Sequence, residues 1–306
     1  MPGLRRLFRN ARLIDPESGR DSAGDLIVED DRIAGIGNNL DKDGLGADIE
    51  IVDVGGLCLA PGLVDMRVQL REPGAEHIES IESGSRAAAA GGVTTMVALP
   101  NTEPPVDDVS VVEFLARRAR EVKLTKVHTY AAATKGMKGK ELTEIGLLAA
   151  NGALGFTDGV HAIADALVMR RVLAYARTFD QLVIQHPEEP SLGSAGEVNE
   201  GEIATRLGLA GITPVAEVIM VERDLRLVAI TGARYHVAHV STAAAIEAIR
   251  LAKGDGLPVT CDTAPPYFAL NETAVGDYRT FAKLSPPLRG ESDRQAVIAG
   301  LADGTI

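Results

Sequence analysis

The sequence has no tryptophan, two cysteines, six histidines and only 4% aromatic residues in a chain of 306. With so few rings the core must be built from Ala, Val, Leu and Ile, and the 45% apolar fraction is enough for a sizeable one. Cys58 and Cys261 are too few and too far apart for a disulfide framework or a metal-ligand pair, and read as two small buried thiols in a reducing cytoplasm. Basic residues are short, 31 against 43 acidic, for a formal charge of −12. A nucleic-acid or anionic-membrane surface needs the opposite balance. No apolar run reaches the length of a membrane-spanning helix. The basic start, MPGLRRLFRNARLI, lacks a continuous apolar segment and a small-residue cleavage site, so it reads as a first strand rather than a targeting peptide.

What is present is alternation. Up to residue 58, short strands with turn punctuation follow one another: LFRNARLID, DLIVEDDRIAGIG (a hairpin with Asp30-Asp31 at its tip) and IEIVDVGGLCLAP. Residues 1–58 are therefore expected to form a small β-domain. From residue 59 to 306, β-rich runs alternate with helical ones. VDMRVQ, VTTMVAL, KVHTYAA, ALGFTD, LVIQH, YHVAHV and PVTCDT are the expected strands. SVVEFLARRAREVK, DALVMRRVLAYARTF and TAAAIEAIRLAK are among the helices between them. This order predicts an α/β fold with a parallel sheet, approaching a (β/α)8 TIM barrel. Seven strands are countable. An unpaired gap leaves two edges open, so an eighth strand is expected beyond Ile306 or from a partner.

The chain is organised around Ala60 to Asn101. Its strand LVDMRVQL places Asp65, Arg67 and Gln69 on one face, because side chains two apart share a face. Arg71 follows the strand, and Glu72-Pro73-Gly74 turns the chain outward. A helical stretch, Glu79 to Ala90, then ends at Gly91-Gly92 before the next strand. Asp158, His186 and His239 fall at the carboxyl ends of later strands. Each alone reads as a turn residue or a satisfied histidine. Together, facing one mouth, carboxylate and imidazole are a ligand set for zinc. His236, three residues before His239, reads as structural, and His77, His128 and His161 have no partner by spacing.

PGLVDM-x-V-x-LREPG, AAAAGGVTT and PNTEPP, a run of some forty residues, resemble the opening of a class I dihydroorotase of the amidohydrolase superfamily. The resemblance implies a barrel carrying a small β-domain, cyclic-amide hydrolysis interconverting dihydroorotate and carbamoyl-aspartate, and zinc. It implies metal ligands at Arg67, Gln69, Asp158, His186 and His239, with a last aspartate from the eighth strand. It also implies that Arg71 grips the substrate carboxylate and that Asn101 holds substrate. Bidentate carboxylate binding suits a guanidinium. The chain departs from the family at four places. Arg67 and Gln69 replace the His-x-His pair, and a guanidinium has no lone pair to give a metal. Ser285 stands for the Asn of NPPLR, and Pro266-Tyr267 for His-His.

The departures favour a catalytically silent member, with Arg67 pairing with Asp158 in place of the metal charge. Proteins of this kind are known as partners of aspartate carbamoyltransferase, so an oligomeric assembly role in pyrimidine synthesis is expected. The alternatives are a zinc dihydroorotase of residual activity on the three remaining ligands, or a related hydantoinase-like amidohydrolase. LREPG and PNTEPP favour the dihydroorotase branch.

Overall fold

A computed structural model describes residues 5–40, 49–193 and 195–306. The chain forms two compact units, Met1–Leu63 and Val64–Ile306. The first unit holds β1 (Arg5–Asp15), β2 (Arg20–Glu29), β3 (Arg32–Gly37), β4 (Ile49–Asp53) and β5 (Cys58–Leu59), in the order β3-β2-β1-β4 with β5 also on β1. β2 and β3 pair antiparallel across the Asp30-Asp31 tip, so the predicted hairpin forms where the two alternating runs meet. β1 slips register between Phe8 and Ala11. There Asn10 adopts φ 58° and its N–H donates to Asp25 Oδ1 at 3.1 Å, the geometry of a bulge that bends the strand.

The second unit contains β6 (Leu63–Val68), β7 (Val93–Ala98), β8 (Lys126–Ala131), β9 (Ala153–Phe156), β10 (Val183–Gln185), β11 (Val198–Asn199), β12 (Gly211–Ile212), β13 (Tyr235–Val237) and β14 (Val259–Cys261). Its main sheet runs β14-β13-β10-β9-β8-β7-β6, and these are the seven strands expected from the alternating pattern. The order follows the chain, each strand lying beside the preceding one in this sheet. β11 and β12 form a separate small ladder.

Both faces of the curled parallel sheet are covered, as in α/β barrels. Met96, Ala98, Phe156, Val183, Tyr235 and Val237 join the large core that the helices bury from outside. Val97, Leu99, Tyr130, Ile184 and Ala238 form a second cluster on the inner face. Period two assigns each residue to one face or the other. The helix Ile81–Ala90 starts on a Ser80–Ser83 capping box, and Asp165 caps Ala166–Thr178. The longest helix, Val215–Thr231, was not among those picked out from the sequence. It buries Asp224 and Glu217 among its apolar residues, which blurs the amphipathic pattern. Among the described residues no helix is long and apolar enough to cross a membrane.

One expectation is corrected here. The two thiols are not both buried: Cys58 is exposed and Cys261 half-buried. Cys58 lies in a two-residue strand paired only with β1, too short to cover its side chain. Cys261 donates to the carbonyl of Thr305 at 3.1 Å, and burial pushes its thiol up to about 11.

The loops after β6 and β7 are locked at Gly74, whose φ is +104° and where an added Cβ would lie 2.3 Å from the Glu103 carbonyl oxygen. Gly152 has φ +106° but open space around it. Replacing Gly152 by Ala is therefore expected to cost only backbone strain, about 1–3 kcal/mol. Gly74→Ala adds a backbone clash of about the same size. In thermal melts Gly74→Ala should fall several degrees below Gly152→Ala; equal melting points would mean that the two loops are free to separate.

Candidate functional site

Strand ends gather the polar groups. Val68 packs toward the outer core, so Arg67 beside it projects to the inner face. Arg67 donates from Nη2 to the Gly159 carbonyl at 3.3 Å. Burial pulls its guanidinium down from the ordinary arginine value, offset first by the charge of Asp262. Gln69, past the strand end, accepts from Arg71 Nη2 at 2.5 Å and from Asn101 Nδ2 at 3.0 Å. The two residues expected to hold substrate are thus joined through the glutamine that replaces a family histidine. Asn101 Oδ1 is buried without a hydrogen-bond partner. Arg71 forms no ion pair with Glu72 or Glu76. The Glu72 carboxylate is taken by Arg118 Nε at 2.7 Å and the Ile81 N–H at 2.9 Å, and Glu76 accepts from the Gly74 N–H at 2.9 Å.

His186 and His239 come together: Nδ1 of the first lies 3.0 Å from Nε2 of the second. One ring must donate and the other accept. Burial, then Arg67, then His161 hold His186 down to about 3. Burial, then Arg67 and His186, hold His239 well below its ordinary value. His239 sits at φ 41°, and its buried Nδ1 has no hydrogen-bond partner.

Asp158 is buried, but the expected Arg67–Asp158 ion pair does not form. Thr134 satisfies the carboxylate instead, donating its N–H at 2.9 Å to Oδ1 and its hydroxyl at 2.5 Å to Oδ2. Burial raises Asp158 from its ordinary value, with Thr134 opposing. A buried carboxylate can be stabilised by hydrogen bonds as well as by a cation, and Thr134 is close enough to do it. Arg67 reaches only the backbone of the next residue, Gly159.

Sequence reasoning passed over Asp262. It accepts from the His239 N–H at 2.5 Å through Oδ1, and its Oδ2 lies 2.9 Å from His236 Nε2. His236 also contacts Thr260 Oγ1 at 2.7 Å. The histidine read as merely structural is thus the link between two strand ends. The signal was available: Asp262 follows β14 as Asp158 follows β9. A second missed network holds the turn after His239. Glu217 accepts from the N–H and hydroxyl groups of both Ser241 and Thr242. Arg289 donates to Ser241 Oγ at 3.0 Å and to Asn199 Oδ1 at 3.0 Å. On the substrate side the Tyr267 hydroxyl donates to the carbonyl of Pro286, the residue after Ser285, at 2.9 Å. His77, His128 and His161 are exposed.

Zinc does not fit this set of side chains. A guanidinium occupies the strand that would carry two imidazoles, and it is the leading charge opposing a positive charge on His186 and His239. A divalent cation beside those rings meets the same repulsion, twice over. The Asp158 oxygens are already engaged by Thr134. Among the described residues no three His, Cys, Asp or Glu side chains gather as a metal site.

The fold defines the class. L-Hydantoinase (dihydropyrimidinase) from Arthrobacter aurescens superposes with a TM-score of 0.82 at 22% identity, over 98% of this chain and 67% of its own. D-hydantoinase (dihydropyrimidinase) from Thermus sp. gives 0.75 at 23%, over 98% and 67%. At that identity they show the fold alone, an α/β barrel. Sequence goes further. Residues 56–245 match the dihydro-orotase-like family. A dihydroorotase from Syntrophotalea carbinolica is 46% identical over 303 residues, 99% of this chain and 70% of that protein. One from Anaplasma phagocytophilum is 47% identical over 302 residues, 98% of this chain and 67% of that protein. The chain belongs to the dihydroorotase family.

The imidazole pair predicts a pH dependence. An unfolded histidine takes a proton near 6.5, whereas folded His186 takes one only at about 3. The unfolded state therefore binds more protons between those values, and this contribution to stability is present above 6.5 and lost as pH falls. The raised Asp158 acts in the opposite sense. Urea unfolding between about pH 7 and pH 4 should show falling stability, with the His186 ring signals neutral throughout by NMR. A His186 ring that protonates near 6 would refute the buried, Arg67-opposed environment.

Proposed function

We propose that this chain is a dihydroorotase-family protein of pyrimidine biosynthesis that has lost hydrolytic chemistry and acts through its surface, as a subunit supporting assembly of aspartate carbamoyltransferase in the cytoplasm. The observation that carries the loss of chemistry is Arg67, a desolvated cation at the mouth, set against His186 and His239. Hydrolysis of a cyclic amide by this family's route needs a metal to make hydroxide near neutral pH. No rearrangement of Arg71 or Asn101 supplies that nucleophile. With the hydrolytic role gone, an assembly role accounts for a barrel that keeps its core and its Arg71–Gln69–Asn101 contacts. One observation favours residual metal binding instead: the buried, unpartnered Nδ1 of His239 is a free donor.

Three measurements decide between these. The full chain, purified and analysed for metal, is expected to carry no stoichiometric zinc and to show no turnover of dihydroorotate. Arg67→His combined with Gln69→His removes the opposing cation and should gain zinc binding. Pull-down with aspartate carbamoyltransferase from the same source is expected to recover a complex. Stoichiometric zinc with turnover would overturn the silent reading, and absence of any complex would overturn the assembly role.

A further inference from the structure

The disagreement between the mouth and zinc has a positive content. The Arg67 guanidinium carries five N–H donors, yet its one hydrogen bond among the described residues is the 3.3 Å contact to the Gly159 carbonyl; the backbone N–H donates separately to Asp65 Oδ1 at 3.0 Å. No carboxylate of those residues lies within ion-pairing distance of it. Asp262 is the leading charge of opposite sign to act on it, but both Asp262 oxygens are taken by His236 and His239. Asp158 is taken by Thr134. The nearby imidazoles of His186 and His239 carry no negative charge in either protonation state and cannot pair with it. A half-buried guanidinium with unfilled donors, facing the interior of a barrel mouth, is an incomplete anion site. Arg71 adds a second cation after the same strand, held by Gln69.

We infer that the former metal position binds a small carboxylate anion, with Arg67 as its anchor through the free edge of the guanidinium. The anion would stand where the family's metal-bound groups stand but with reversed charge logic: cation from the protein, anion from solution. Planar, two-point contact is the geometry arginine offers a carboxylate. This inference rests on the reading that the mouth holds no zinc.

The test uses malonate as probe on the full chain, followed by calorimetry and by thermal shift, with sodium chloride at matched ionic strength as control. Malonate is expected to bind and to raise the melting temperature, where chloride does not. Arg67→Gln should weaken malonate binding on the order of tenfold to a hundredfold, the range of a charged hydrogen-bonded contact. Arg67→Lys, which keeps the charge without the fork, should fall between. Without malonate, Arg67→Gln should melt at or above the parent, because an unpaired desolvated cation destabilises the fold. Loss of binding confined to Arg71→Gln, or unchanged binding in Arg67→Gln, would overturn the inference. So would an Arg67→Gln protein that fails to fold, since Arg67 would then be a structural partner of Gly159. Zinc found in the purified protein would sink the metal-free reading itself. Metal-free protein that ignores malonate would sink only the anion site.

Discussion

A parallel sheet covered on both faces must sort the side chains of every strand into two sets, and everything else in the larger unit follows from that. Met96 and Ala98 go to the helices, Val97 and Leu99 to the interior. The same rule sends Val68 outward and Arg67 inward. A one-residue slip would exchange the sets and place apolar side chains in the mouth. The strand ends therefore present their polar groups to a common space whether or not those groups still do chemistry. The core does not depend on the mouth.

Within the mouth, desolvation is the dominant force. It is the first cause of the shifts at Arg67, Asp158, His186 and His239. Each group meets that cost with its own partner. Asp158 uses the hydroxyl and N–H of Thr134, and the two imidazoles share a hydrogen bond. Asp262 bridges His236 and the backbone of His239. The Arg67 guanidinium is left with a single long contact to the Gly159 carbonyl.

Much of this was legible in the chain. The seven strands, the β2–β3 hairpin and the helices Ile81–Ala90, Val109–Val122, Ala166–Thr178 and Ala243–Gly254 follow from period two and period 3.6 with capping residues and glycine stops. The juxtaposition of His186 and His239 follows from strand-end position. The Arg67–Asp158 pair failed because a face and a height on a barrel do not give a distance. Thr134, in the loop after β8, bears no mark in the sequence of its role. Asp262 was overlooked although it stands at a strand end like Asp158. The buried cysteines failed because a two-residue strand covers little.

The sequence by itself determined the family, the order of the strands and which side chains share a face, because these depend on local periodicity and on a long contiguous run of motif. It also determined that Arg67 is no metal ligand, which is a property of guanidinium alone. Only the tertiary structure decided who satisfies whom: Thr134 with Asp158, Asp262 with His236, Gln69 with Arg71 and Asn101. Those pairings turn on separations of about 3 Å between residues far apart in the chain, and no local rule carries that precision.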